Sequence, residues 1–170
     1  MTAPRYQDIP ASAIPEVTDD DGTHVRVISG EFWGKKGPVE GVAADPHYVD
    51  VPVAPGRRKR LKVDITRNAF AYVLAGSGSF RDASAPQAVL TEQATDPDAE
   101  AVYDIANHSL VLFDRGDEIV VQAGPLGIRF LLVSGKPIEE PVAWNGPIVM
   151  NTQTELRQAM MELQNGTFIR

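Results

Sequence analysis

Cysteine is missing from all 170 residues, which excludes disulfides, thiolate nucleophiles, zinc–thiolate sites and iron–sulfur clusters. Histidine is scarce, with only His24, His47 and His108, so a metal site would have to draw on these and on carboxylates. No apolar run approaches the roughly 20 residues of a membrane span. Met1 to Pro10 lack the basic and apolar regions of a secretory leader, and the expected setting is a soluble, cytoplasmic one. Basic residues are outnumbered, 16 Lys+Arg against 23 Asp+Glu for a net charge of -7. That deficit argues against a nucleic-acid footprint, which calls for a basic face. What remains is 43% hydrophobic, enough at this length for one domain with its own core.

Turn residues are plentiful, 14 Gly and 13 Pro. They punctuate runs rich in β-branched and aromatic residues at the spacing of an all-β sandwich or barrel. Strands are expected at 24–29, 48–53, 60–65, 69–74, 109–113, 118–123 and 128–134. Several alternate with period two, as Val25 and Val27 do about Arg26. Gly76-Ser77-Gly78 reads as a hairpin turn, and Gly34-Lys35-Lys36-Gly37 as a turn between strands. Trp33 and Trp144 read as barrel-end packing.

Charge is distributed unevenly. Residues 57–81 carry seven basic and one acidic residue, whereas 82–108 carry none and six. The stretch 82–107 reads as an acidic flexible loop inserted between strands. Arg57-Arg58-Lys59-Arg60 follows a Pro-Gly turn and precedes alternating Leu61 and Val63, so it reads as an exposed start of a strand rather than a nuclear address or phosphate patch. Near the end, Thr152-x-x-Glu155 forms a capping box, Leu156, Met160 and Leu163 recur at helical spacing, and Asn165-Gly166 supplies the stop. The division expected is a barrel over 1–150 and an amphipathic helix with its tail over 151–170.

Five segments in order carry a family likeness: Gly30-Glu-Phe-Trp-Gly-Lys-Lys-Gly-Pro38, Phe70-Ala-Tyr-Val-Leu-Ala-Gly-Ser-Gly78, Phe113-Asp-Arg-Gly-Asp117, Leu132-Val-Ser-Gly-Lys-Pro137, and Gly146-Pro-Ile-Val-Met-Asn-Thr152 running into an ELRQA-type helix. Together they resemble the C-terminal half of the pirins, which are bicupins, and Pro4-Arg5-Tyr6-Gln7 resembles the start of their second barrel. The resemblance implies a single cupin barrel, a double-stranded β-helix or jelly roll, closed by a C-terminal α-helix that packs across to the N-terminal barrel. It also implies that the iron site and the quercetin 2,3-dioxygenase activity of some pirins belong to a first barrel that this sequence does not contain.

The cupin metal motifs can be laid on the sequence. Counting from Gly56 places the first motif's two His at Lys62 and Asp64, its Glu at Ala69 and its closing Gly at Gly76. Anchored on Gly116, the second motif puts its His at Ile119 and its Asn at Ala123. A cation, one carboxylate, a methyl and a branched alkyl cannot supply the converging imidazole and carboxylate ligands of a non-haem iron or manganese ion, so no metal or other cofactor is expected. A centre built from His47 and His108 has no ligand spacing to support it. Ser77 lacks the strand-to-helix elbow that would activate it.

The expectation is therefore a metal-free docking half, not catalytic alone. Its helix, through Leu156, Met160, Leu163 and Phe168, would pack on another cupin barrel, whether a pirin N-terminal half or a second copy, or fold back on its own sheet. The rival is one part of an iron-dependent quercetin 2,3-dioxygenase completed by a separate first barrel. A third reading is a barrel interior that holds an apolar small molecule without chemistry.

Overall fold

In the computed structural model of the protein, residues 6–81, 87–90 and 105–168 are described. They fall into two compact units, divided between Pro137 and Ile138. The first contains a short 3-10 turn (Ala11–Ala13) and strands β1 (Glu16–Thr18), β2 (His24–Ser29), β3 (Glu31–Phe32), β4 (Lys35–Lys36), β5 (His47–Val53), β6 (Arg58–Lys62), β7 (Asn68–Arg81), β8 (Gln87–Leu90), β9 (Ile105–Ala106), β10 (Ser109–Leu112) and β11 (Glu118–Gly135). The second contains β12 (Ala143–Asn145), β13 (Ile148–Met150) and α1 (Gln153–Gln164).

One antiparallel sheet runs β1-β2-β5-β11-β7-β10-β8, with β6 pairing on β11 and β9 on β7. The 18-residue β11 organises it. Its first part pairs with β6, from Glu118 opposite Lys62 to Gln122 opposite Arg58. Its second part pairs with β5, from Ile128 opposite Val53 to Ser134 opposite His47. Along its other edge lies β7, interrupted by irregularities between Ala123 and Ile128 and between Arg129 and Phe130. Such irregularities bend a strand and let one sheet curl round a core. The alternation expected for β2 holds: Val25 and Val27 are fully buried and Arg26 is exposed. Phe80 anchors the interior, edge-on to Phe130 at 5.2 Å and to Phe113 at 5.5 Å.

Several sequence expectations change here. Gly76-Ser77-Gly78 is no hairpin turn; it lies within β7, opposite Ile128, Ala106 and Ala123. The glycines belong to the bend. Gly76 has φ +72°, and a methyl group there would overlap the Gly127 carbonyl. The strands expected at 118–123 and 128–134 are one strand, because the residues between them continue the backbone through the irregularity rather than turning it. The strand expected over 60–65 ends at Lys62, where Asp64 accepts hydrogen bonds from the Thr66 N–H (2.8 Å) and hydroxyl (2.6 Å) and turns the chain. Within the basic run, Lys59 is buried rather than exposed, because β6 alternates it inward and its ammonium pairs with Asp19 and Asp21. Of the acidic stretch 82–107, residues 82–86 and 91–104 lie outside the described residues, while Gln87–Leu90 pairs with β10 and Ile105–Ala106 with β7.

In the second unit β12 and β13 form a hairpin, Asn145 opposite Ile148. The strands of 143–150, grouped with the barrel by sequence, are grouped here with the helix. Thr152 caps α1 as its sequence indicates: its hydroxyl accepts from Glu155 N at 3.2 Å, and Glu155 Oε2 accepts from Thr152 N at 2.9 Å. Leu156 and Ala159 are buried with Ala143 and Ile148.

Candidate functional site

The four cupin ligand positions do not form a ligand set. In β6, Lys59 and Leu61 alternate inward and Lys62 is exposed, so the residue standing where a cupin has its first His is on the outward side of the pleat. Asp64 is exposed and already accepts from Thr66. Ala69 is half-buried against the core, and Ile119, opposite Leu61, is within it. One ammonium, one committed carboxylate and two hydrocarbon groups do not fit an iron or manganese ion. Among the described residues no three His, Asp or Glu side chains are grouped to hold a metal. His24 Nδ1 lies 2.8 Å from the Thr18 hydroxyl, His47 begins β5, and His108 sits before β10 at φ +65°.

Two of the same positions do share a cavity. Lys62 and Asp64 border a volume of about 400 Å³ beneath the β3–β4 hairpin, with Phe32 and Trp33 on one side. His47 and Val49 of β5 and Leu132 and Ser134 of β11 make its wall, and Arg67 comes from the turn after β6. The wall is of mixed polarity, unlike the apolar interior that the sequence suggested.

Arg67 is the best-held charge in the cavity. Its side chain is 7% exposed, and its Nη2 lies 2.6 Å from Asp45 Oδ2 while Nη1 donates to the Asp45 carbonyl. Its buried Nε has no hydrogen-bond partner, the nearest carboxylate being Asp64 Oδ2 at 3.9 Å. Lys136 Nζ also reaches Asp45, at 3.1 Å. The hydrogen bonds from Arg67 and then Lys136 hold the Asp45 carboxyl below the usual range, and those from Thr66 do the same for Asp64. Burial first, and the Arg67 charge second, push His47 below the usual imidazole value, which favours the neutral ring.

Local geometry sets the hairpin over this cavity. Trp33 (φ +44°) and Gly34 (φ +75°) are the two residues linking β3 to β4, both left-handed as in a tight turn whose twist matches its strands. This corrects the reading of 34–37 as turn, since Lys35 and Lys36 are strand. Lys59 Nζ stands 5.5 Å from the Trp33 ring centroid. Gly30, at φ +76°, lies against the His47 ring with no room for a Cβ. Neither the burial of Arg67 nor a role for Trp33 beyond packing is marked by a sequence motif; the available signal is Trp-Gly between two short extended pairs, where Trp33 accepts a positive φ that its residue type rarely adopts without tertiary support.

The second unit presents a different surface. The expected docking stripe is split: Leu156 is consumed by the unit's own hairpin and Met160 is half-buried, while Leu163 is 45% and Phe168 37% exposed. Trp144 and Val149, opposite each other on β12 and β13, are 73% and 55% exposed. No helix among the described residues is long and apolar enough to cross a membrane.

Comparison with known proteins accounts for this architecture. Residues 48–169 match the family described as the pirin C-terminal cupin domain. A pirin-like protein of Arabidopsis thaliana is 35% identical over 97% of this chain and 49% of its own length. Human pirin is 30% identical over 97% of this chain and 51% of its own. A putative quercetin 2,3-dioxygenase of Thermoplasma acidophilum is 30% identical over the whole of this chain and 60% of its own. Among solved structures, a quercetin 2,3-dioxygenase of Acinetobacter baumannii superposes with a TM-score of 0.74 at 26% identity, over 96% of this chain and 50% of that one. The chain thus spans about half the length of most of these relatives, and it belongs to the pirin family as a C-terminal cupin domain.

Proposed function

We propose that this chain is the structural and docking half of a two-barrel pirin assembly, carrying no catalytic metal of its own. The observation that carries the reading is the set Lys62, Asp64, Ala69 and Ile119, which offers one carboxylate where a cupin needs several converging ligands. A second supports it: Leu163 on the helix, Phe168 after its end, and Trp144 and Val149 on the hairpin leave large apolar side chains exposed in a unit that has already covered Leu156. The occupant of that surface is an N-terminal pirin barrel, the part of the relatives that this chain does not span.

The names of the Thermoplasma and Acinetobacter proteins favour a specific activity for the completed assembly, the 2,3-dioxygenation of quercetin, with the metal supplied by the other barrel. Mixing this chain with an isolated N-terminal pirin barrel and measuring complex mass by light scattering tests the docking. A one-to-one complex is expected, weakened at least about tenfold by Leu163→Asp with Phe168→Asp. Stoichiometric iron bound by this chain alone, with dioxygenase activity to match, would replace the docking reading with a catalytic one.

A further inference from the structure

We propose that the cavity under the β3–β4 hairpin binds a small aromatic monocarboxylate, its carboxylate taken by Arg67 and its ring seated against Phe32 and Trp33. The claim does not depend on the docking reading, since every residue involved belongs to the first unit.

The strongest observation is the unspent donor. A buried guanidinium N–H without an acceptor is costly and uncommon in folded proteins, yet Arg67 Nε is buried without one while its two terminal nitrogens are held by Asp45. Asp45 fixes the plane of the guanidinium and leaves its inner N–H for something else. A carboxylate oxygen satisfies such a donor with a charge-assisted bond. Lys62, on the rim, has no carboxylate partner among the described residues and adds a second positive charge.

The sign and number of charges on the ligand follow from what is already occupied. A cation would seek the Trp33 ring, but Lys59 stands over it and is itself neutralised by Asp19 and Asp21. Asp64 Oδ1 is committed to Thr66, while its Oδ2 stands 3.9 Å from Arg67 Nε, beyond hydrogen-bond distance, and Asp45 is committed to Arg67 and Lys136. Glu31 is the lining carboxylate without such a bond among the described residues; Arg67 and Lys62 offset its repulsion of one negative charge, and a dianion would be repelled more strongly. The ring preference comes from Phe32 and Trp33, whose centroids are 4.7 Å apart, with Leu132 and Val49 also in the lining. At about 400 Å³ the space suits a one- or two-ring acid, within the range of small-molecule sites.

Backbone strain is placed at the same spot. Four non-glycine residues among those described have positive φ, and two of them, Trp33 and Asp45, are the aromatic wall and the clamp on Arg67. Strain of this kind persists where surrounding structure enforces it, often at binding sites.

The test uses the ¹⁵N-labelled chain, titrated separately with benzoate, cyclohexanecarboxylate and benzylamine while the Arg67 Nε–H and Trp33 indole N–H signals are followed. Benzoate is expected to shift both signals saturably, at an affinity at least about threefold above that of cyclohexanecarboxylate, and benzylamine to leave Arg67 unmoved. Arg67→Lys keeps the charge but loses the fork, and should weaken benzoate at least about tenfold. Should that variant lose its fold, Lys62→Gln on the exposed rim should still weaken benzoate about two- to fivefold. Absence of saturable shifts at benzoate concentrations on the order of 10 mM, or tighter binding of benzylamine than of benzoate, overturns the proposal.

Discussion

His47 shows how one side chain reports on its surroundings. Burial and Arg67 hold its imidazole below the ordinary value of about 6.5, so the folded chain binds this proton less readily than the unfolded chain. The stability gained is present above about pH 6.5 and is lost as the pH falls from there through the folded value. Urea midpoints should therefore decline in this window, and His47→Gln should flatten the decline. The lowered carboxyls of Asp45 and Asp64 act in a separate window: their contribution is complete above about pH 4 and disappears as the pH falls through their depressed values. A His47→Gln variant as pH-sensitive as the parent near pH 6 would show that another group dominates. Gly76 makes a steric counterpart. Its φ of +72° and the crowding by the Gly127 carbonyl should make Gly76→Ala destabilising by more than about 2 kcal/mol in denaturant titration. A loss under about 0.5 kcal/mol would mean that the bend relaxes.

At the scale of elements, β11 and α1 contrast in what makes them. The helix is locally specified: a Thr152–Glu155 capping box at one end, Gly166 at φ +69° at the other, and Leu156 placed to meet Ala143 and Ile148. Thr152→Ala should cost about 1 kcal/mol and speed hydrogen exchange in the first turn; unchanged exchange there would assign helix stability to packing alone. The continuity of β11 has no comparable local source. Gly124, Pro125 and Gly127 are turn formers by any local rule, and only the pairing of the residues on either side of them with β5, β6 and β7 carries the chain on as one bent strand. For the same reason Gly76-Ser77-Gly78 looks like a hairpin in one dimension and is a strand in three. The helix stripe was likewise legible in position but not in use, because the hairpin that covers Leu156 is itself a tertiary product.

At the scale of the molecule, two apolar surfaces have different fates. The barrel buries Val27, Val51, Val73, Leu61 and Phe130 and exposes single large side chains such as Ile65 and Leu126, whereas the much shorter hairpin-helix unit keeps Trp144, Val149 and Leu163 exposed. On the docking reading proposed above, this exposed apolar surface is the one that meets the N-terminal barrel. Mixed with an isolated N-terminal pirin barrel, the chain is expected to protect the last turn of α1 from exchange along with Trp144. Protection confined to the first unit would place the interface elsewhere.

The sequence by itself determined the all-β class, the alternation of β2, the positions of β5 and β10, the capped helix, the pirin likeness, and the chemical poverty of the cupin ligand positions. These depend on residue identity and on spacing along the chain, which period-two and helical patterns make readable. Tertiary structure alone decided the orientation of Lys62, the burial of Lys59 against Asp19 and Asp21, the fusion of two expected strands into β11, and the cavity where Arg67, His47 and Trp33 meet. Each of these joins residues distant in sequence, through strand register, charge pairing or a fold-enforced positive φ, and none of those is written in local order.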